Sequence, residues 1–250
     1  MKLKNSLRIL AITQARFSSS RLPGKILLKL GNKIALEHTF ERLKNINNVD
    51  EVVCAIANEN NSKKIINICK KNNVKFFLGS KNNVLERIYF ASKKNKADIV
   101  LRVTSDCPLI DPDLCHSLIQ KLIKKKLDYA SNNLTPSFPH GLDCEVFTFK
   151  ALEKAYRYSL NNPINSHLEH VTTYLKQNKR FKKENLKCNI KMKRYERWTL
   201  DTELDYKFLN KVFSIIQNDK FYYNWRKVLE LIDNTPKLQN INNITHHFWF

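Results

Sequence analysis

The chain has 250 residues, of which 42% are hydrophobic and 10% aromatic, so it can bury an α/β core and is not mainly disordered. The net charge of +21 comes from lysines spread among asparagines, and no basic cluster predicts a specific nucleic-acid partner. No apolar stretch is long enough to span a bilayer, and the six cysteines include no CxxC pair. We therefore expect a cytoplasmic protein with no membrane partner, no zinc and no disulfides.

The first half of the sequence alternates short β-branched runs with helical periods, which is typical of parallel strands joined by crossover helices. Apolar residues at helical spacing, such as Leu36, Phe40 and Leu43, predict helices between the strands. Asp111 followed by Pro112 predicts the N-cap and the first position of a further helix. The strands are predicted at residues 7–13, 51–57, 74–78 and 98–104.

The second half has a looser pattern. After a loop at residues 131–141, strands are predicted at 145–149 and 195–200, and helices are predicted to begin at Ala151, Ser166 and Glu203. Because we find no internal repeat and no linker rich in glycine or serine, we expect a single domain over residues 1–250. Its core would cover about residues 7–217, and residues 218–250 would form a helical and aromatic C-terminal tail.

The loop after the first predicted strand has an unusual composition. From Ala15 to Lys25 it reads ARFSSSRLPGK, with three cations, three hydroxyl groups and a Pro-Gly turn. Cations suit phosphate oxygens, and Gly24 would let the backbone approach them closely. Neither the GxxxxGK[ST] phosphate loop nor the GxGxxG dinucleotide pattern is present. We favour a polyphosphate site at the carboxyl end of the strand, and the alternative is an exposed basic loop.

This loop also resembles a known family. The run ARFSSSRLPGK is similar to the loop of the cytidylyltransferases that include CMP-Kdo and CMP-acylneuraminate synthetases. The spore coat polysaccharide biosynthesis branch is the most similar, over about Ile9 to Phe208. The resemblance implies a Rossmann-like nucleotide-diphospho-sugar transferase fold, an α/β fold with a mostly parallel sheet, flanking helices and a small antiparallel extension. It also implies transfer of CMP from CTP to a sugar acid or sugar phosphate, with release of pyrophosphate, in surface polysaccharide or glycan biosynthesis.

Two aspartates follow predicted strands. Asp106 comes directly after the strand at 98–104, which would place it at the same sheet edge as the basic loop. Asp201 begins an Asp-Thr pair after the strand at 195–200. Each could be a helix cap instead of a metal ligand, and for Asp201 taken alone the helix cap is the favoured interpretation. The resemblance assigns both to a bound Mg²⁺, which prefers carboxylate and phosphate oxygens, and it further implies a homodimer.

The composition of the loop and the resemblance together predict site residues in three roles. The catalytic residues would be Arg16, Lys25, Asp106 and Asp201. The nucleotide would be bound by Ala15, Arg16, Ser18, Ser19, Arg21, Gly24, Lys25, Ala57, Ser80, Arg87 and Thr104. The acceptor would be bound by Asp143, Glu145 and His170.

Three alternative functions stay open at this point. A related transferase could use another nucleotide, because Thr104-Ser105-Asp106-Cys107-Pro108 stands where the Kdo enzymes have Gln-Gly-Asp-Glu-Pro. A glycosyltransferase would bind a finished nucleotide sugar, commonly through an Asp-x-Asp motif, but Asp111-Pro112-Asp113 is better explained as a helix start. A nucleic-acid binding protein is the alternative that the charge alone suggests.

Overall fold

The computed structural model describes residues 7–164, 168–217 and 219–242. Its first half contains β1 (Ile9–Ala15), β2 (Lys29–Leu30), β3 (Lys33–Ile34), α1 (Ala35–Lys44), β4 (Glu51–Ala57), α2 (Ser62–Lys71), β5 (Lys75–Gly79), α3 (Val84–Lys94) and β6 (Ile99–Thr104). Its second half contains α4 (Pro112–Lys125), β7 (Tyr129–Ser131), β8 (Cys144–Thr148), α5 (Phe149–Asn161), α6 (Thr173–Gln177), β9 (Lys183–Asn185), α7 (Glu203–Ile216), α8 (Trp225–Asp233) and α9 (Pro236–Gln239).

The main sheet has seven strands in the order β5-β4-β1-β6-β8-β7-β9. Strand β8 is antiparallel to both of its neighbours, while the other pairings are parallel. Strands β2 and β3 form a separate antiparallel pair. These pairings confirm the predicted fold, an α/β structure with a mostly parallel sheet, flanking helices and a small antiparallel extension.

The strand order reverses between β1 and β6. The chain proceeds outward from β1 through β4 to β5 and then returns to the other side of β1 as β6, with Gln14 opposite Thr104. Ligands of open α/β sheets bind at the carboxyl ends of strands where the order reverses in this way. Because β8 runs in the opposite direction, its first residue, Cys144, lies opposite Val103 at this same edge.

Both faces of the sheet are covered. Side chains of β1 alternate between them, so Ile9 and Ala11 join one buried cluster while Leu10 and Ile12 join the other. Burial on both faces explains why the parallel strands are almost continuously apolar.

The C-terminal helices pack against the first of these clusters. Trp225 and Val228 of α8 are buried there. The side chain of Asp111 accepts hydrogen bonds from the backbone N–H groups of Leu114 and Trp225, each at 2.7 Å, so this N-cap also fastens α8 to α4. The predicted cap and first turn at Asp111 and Pro112 are confirmed.

One predicted element is wrong. Residues 195–200 form no strand, and His140 and Arg197 form an isolated bridge instead. The predicted capping box at residues 166–169 lies partly outside the described residues, as do residue 218 and the end of the predicted tail at 243–250. In the part of the chain that the structure describes, no helix is both long and apolar enough to cross a bilayer.

Candidate active site

The basic loop after β1 closes on itself. The backbone N–H of Gly24 donates to the carbonyl of Phe17 at 3.0 Å, and that of Lys25 donates to the carbonyl of Leu22 at 3.2 Å. Gly24 has a φ of 69°, and a Cβ there would lie 3.2 Å from the Phe17 ring. A glycine is therefore suited to this position both by its backbone angle and by the space beside it. The short 3-10 turn Lys25–Leu27 follows directly.

A buried carboxylate fixes the start of this loop. One oxygen of Glu59 accepts the backbone N–H groups of Phe17 at 2.5 Å and Ser18 at 3.0 Å, and the other accepts the Ser18 hydroxyl at 2.6 Å. Burial opposes ionisation of Glu59, but these bonds and Lys81 at 3.5 Å outweigh it and lower its pKa. The Ser18 hydroxyl is thus already engaged by Glu59.

Lys25 lies between the two predicted metal ligands. Its Nζ is 2.5 Å from Oδ2 of Asp106 and 2.6 Å from Oδ1 of Asp201. Arg21 contacts the second oxygen of Asp201 at 2.8 Å. Burial disfavours the charge on Lys25, yet the two carboxylates outweigh it and raise its pKa. Burial likewise opposes ionisation of Asp201, but Lys25 and then Arg21 lower its pKa to about 2.

The backbone around residue 200 explains how two distant aspartates meet. The N–H of Leu200 donates to the carbonyl of Asp106 at 2.8 Å, and the Thr199 hydroxyl donates to the same carbonyl at 3.3 Å. These bonds hold the segment before α7 directly beside the end of β6. Asp201 is thereby placed next to Asp106 without any strand at residues 195–200.

Gly141 allows a further segment to approach this one. It has a φ of 109°, and a Cβ there would lie 2.5 Å from the backbone carbon of Trp198. His140 donates its N–H to the carbonyl of Glu196 at 2.9 Å, and Trp198 donates back to the carbonyl of His140 at 2.6 Å. Any side chain at residue 141 would push these two backbones apart.

One cavity, of about 290 Å³, lies under the basic loop, and we call it the loop cavity. Within the described residues, five cationic side chains line it, and the acidic side chains there are Asp106, Glu169 and Asp201. Such an excess of cations suits a polyphosphate. The five are Arg16, Arg21, Lys25, Arg87 and Arg102.

A second cavity, of about 320 Å³, adjoins the first, and we call it the aromatic cavity. Thr104, Asp106 and Asp201 line both cavities, so the two aspartates stand at their junction. The rest of its lining is partly aromatic and partly polar, and it includes the cation Lys176. It includes Cys107, Asn132, Asn133, Phe138, His140, Asp143, Lys176 and Tyr195.

The structure brings many of the predicted nucleotide-binding residues to the loop cavity. Ala15, Arg16, Ser19, Arg21, Lys25, Arg87 and Thr104 line it. Four others do not line it. Ser18 is bound by Glu59, Gly24 shapes the turn, Ala57 is fully buried, and the Ser80 hydroxyl accepts the backbone N–H of Asn83.

The predicted acceptor-binding residues are separated by the structure. Asp143 lines the aromatic cavity, 3.1 Å from Nδ1 of His140, whereas His170 lines the loop cavity. Burial opposes ionisation of Asp143, but His140 outweighs it and lowers the pKa. Glu145 lines neither cavity, because its side chain is only 4% exposed and its oxygens are occupied by protein donors.

Sequence reasoning missed two cations of the site, Arg102 and Lys176. Arg102 lies on the central strand β6, and the sequence IVLRVT carries a signal for it. A single arginine in an otherwise apolar, buried strand needs a counter-ion and marks a polar site. Lys176 carries no such signal, because it is one of many lysines in the chain.

The paired aspartates fit a magnesium ion. Mg²⁺ is usually held by one or two carboxylates together with phosphate oxygens and water. Asp106 and Asp201 already place their oxygens around one positive charge, the Lys25 ammonium. Over residues 7–164, 168–217 and 219–242, no three His, Cys, Asp or Glu side chains are grouped to hold a metal. The other ligands of a magnesium ion here would be water or oxygens of the substrate.

Comparison with known proteins adds independent evidence. An uncharacterised protein of Methanocaldococcus jannaschii is 37% identical over 242 residues, which are 95% of this chain and 95% of that protein. The spore coat polysaccharide biosynthesis protein SpsF of Bacillus subtilis is 28% identical over 211 residues, covering 82% of this chain and 86% of that protein. The structure of a cytidylyltransferase from Leptospira borgpetersenii superposes with a TM-score of 0.88 at 31% identity, covering 97% of this chain and all of that one.

A family model also matches the chain directly. The model described as cytidylyltransferase covers residues 10–232, which include the basic loop, both aspartates and all of helix α8 except its last residue. The resemblance stated from the loop sequence is therefore confirmed, and the chain belongs to the cytidylyltransferase family.

Proposed function

We propose that this protein transfers CMP from CTP to a sugar acid or sugar phosphate and releases pyrophosphate. The observation that carries the proposal is the position of Lys25, 2.5 and 2.6 Å from the two aspartates at the junction of a cationic and a partly aromatic cavity. The triphosphate would lie in the loop cavity and the acceptor in the aromatic cavity. Lys176 in the aromatic cavity supports an acceptor with a negative group.

The reaction would be an in-line displacement at the α-phosphorus. A lone pair of the acceptor oxygen forms the new O–P bond, the bond from the α-phosphorus to the bridging oxygen breaks, and that oxygen leaves with pyrophosphate. A proton of an attacking hydroxyl is lost to water. Arg16 and Lys25 would bind the triphosphate with help from Arg21, so the chain acts by alignment and by neutralising charge.

Asp106 and Asp201 would hold Mg²⁺ in this mechanism. When bound, the ion would supply positive charge to the phosphate oxygens around the reacting centre. Lys25 would then turn from the carboxylates towards the phosphates, since its four-carbon side chain can reach either. Thr104, which lines both cavities, would stand beside the reacting groups.

The relatives support a place in surface polysaccharide or glycan biosynthesis, because SpsF is named for spore coat polysaccharide. We propose that the enzyme works in the cytoplasm, and the homodimer and the single-domain organisation remain predictions.

A pyrophosphate-release screen tests the function. CTP, UTP, GTP and ATP are each crossed with a panel of sugar acids and sugar phosphates in the presence of Mg²⁺. We expect release with CTP and one class of acceptor. If another nucleotide gives pyrophosphate and CTP does not, that nucleotide is the donor instead of CTP. If no pair releases pyrophosphate, the proposed function is overturned.

A further inference from the structure

One buried carboxylate connects the two cavities. Glu145 lies on β8 directly opposite Arg102 on β6, and the two side chains form a cross-strand ion pair. The other oxygen of Glu145 lies 2.9 Å from Nζ of Lys176 on α6. Arg102 lines the loop cavity and Lys176 lines the aromatic cavity. A single side chain that lines neither cavity therefore contacts a cation in each.

The carboxylate is held firmly in place. The hydroxyl groups of Tyr129 and Thr172 both donate to the same oxygen of Glu145 at 2.7 Å. Burial opposes its ionisation, but Arg102 and Lys176 outweigh burial and lower its pKa to about 2. Glu145 is thus a negative charge held between the two cations.

The two cations depend on this charge for their positions. Among the residues that the structure describes, Arg102 has one further side-chain bond, from Nε to Gln14 at 3.1 Å, and Lys176 has one, to Asn133 at 3.3 Å. Without a negative charge between them, the two cations would face each other and repel. The Lys176 side chain, which is 33% exposed, would then be free to turn into solvent.

We propose that Glu145 is a positioning residue that fixes Arg102 against the nucleotide and Lys176 against the negatively charged group of the acceptor. This inference rests on the proposed function and deepens it, since it gives the acceptor an anionic group at Lys176. Glu145 touches neither substrate. Glu145 follows Gly141 and Asp143 closely in the sequence because β8 begins at the edge of the sheet where the cavities lie. Its second residue, Glu145, is the cross-strand partner of Arg102.

The test uses the full-length protein and three variants, each with a distinct expected pattern. Glu145→Gln keeps the shape of the side chain but removes its charge, and we expect about a tenfold rise in both the Kd for CTP with Mg²⁺ and the KM for the acceptor. Lys176→Met should raise only the acceptor KM. Arg102→Met should raise only the Kd for CTP. The kcat at saturating substrates should change less than these constants in Glu145→Gln.

Tyr129→Phe is the matched control. It removes one hydrogen bond from the same buried carboxylate but leaves its charge, so it should lower the unfolding midpoint while the Kd and the KM stay within twofold of wild type. A double variant adds a sharper test. If Glu145 acts on the acceptor through Lys176, then adding Glu145→Gln to Lys176→Met should not raise the acceptor KM further.

The outcomes separate this inference from the proposed function. The inference is overturned if folded Glu145→Gln keeps both constants within twofold of wild type, or if Tyr129→Phe raises them equally. Should Glu145→Gln not fold, the two cation variants decide, because an unchanged acceptor KM in Lys176→Met also overturns it. CTP binding is measured by calorimetry with CTP and Mg²⁺ alone, so the Arg102 half is tested even if no acceptor releases pyrophosphate.

Discussion

Replacing Lys25 with methionine tests the centre of the site. The change keeps most of the side-chain length and removes the charge that lies 2.5 and 2.6 Å from Asp106 and Asp201. Because a preorganised charge of this kind commonly contributes a factor of about 10² to 10³ in rate, we expect kcat to fall by about that factor. Pyrophosphate release at saturating CTP, Mg²⁺ and acceptor measures the effect.

The same change has a calculable effect on stability. In the folded state the pKa of Asp201 is lowered from 3.8 to about 2. Burial opposes this shift, and Lys25 makes the largest contribution to it. The shift corresponds to about 2 kcal/mol of stability. This contribution is fully present above pH about 4 and is lost as the pH falls through about 2. Because Arg21 also lowers this pKa and stays in place, Lys25→Met should remove part of these about 2 kcal/mol from the free energy of unfolding at neutral pH. The difference from wild type should shrink as the pH falls from about 4 to about 2.

Lys33→Met is the matched control. Lys33 also forms an ion pair at 2.6 Å, with Glu41, but lines neither the loop cavity nor the aromatic cavity. Its loss should leave kcat unchanged. Denaturant unfolding across the acid range measures the stability of both variants. A folded Lys25→Met protein with kcat within threefold of wild type would refute the reasoning.

Three further predictions follow from the geometry. Asp106→Ala should lower kcat by about 10² to 10³ because it removes one of two proposed magnesium ligands, and added Mg²⁺ should not restore the rate. Glu59→Ala leaves the N–H groups of Phe17 and Ser18 without their acceptor, so the Kd for CTP should rise about tenfold by calorimetry. Gly141→Ala should lower the free energy of unfolding by about 2 kcal/mol or more, since its Cβ would lie 2.5 Å from the backbone of Trp198.

Each of these has its own contradicting result. Wild-type kcat in Asp106→Ala at saturating CTP and Mg²⁺ would remove the metal assignment. Unchanged CTP affinity in Glu59→Ala would mean that the loop keeps its shape without this carboxylate. A fully stable Gly141→Ala protein would mean that the two backbones at residues 140 and 198 can separate without cost, and circular dichroism during thermal unfolding would reveal it.

The sequence was sufficient to predict the parallel part of the sheet because the evidence there is local. Short apolar runs separated by helical periods gave strands at β1, β4, β5 and β6 to within about two residues. The cap at Asp111 was likewise predictable, since Pro112 follows it directly. Residues 195–200 were wrongly predicted as a strand, because Trp198 and Leu200 are buried without pairing within a sheet, and the segment forms only an isolated bridge between Arg197 and His140.

The site was harder to predict wherever a partner is distant in sequence. The hydroxyl of Ser18 suits a phosphate as well as it suits a carboxylate, and only the fold brings Glu59, 41 residues away, against it. Glu145 was assigned to the acceptor because its segment resembles the acceptor-side segment of the family, but the pairing of β8 with β6 places it opposite Arg102, with which it forms an ion pair. Local composition predicts which residue types gather at an edge, whereas three-dimensional neighbours decide which of them remain free to bind a ligand.

The reversed direction of β8 gives the two halves of the cleft separate structural origins. The loop under which we place the triphosphate is held by β1 and by Glu59 after β4, whereas much of the aromatic cavity comes from the connection between β7 and β8. Insertions or substitutions in residues 132–143 could reshape the pocket for the second substrate while the first stays in place. Because the two parts of the cleft are built from different segments, the acceptor specificity of such a fold can change while its nucleotide site is kept.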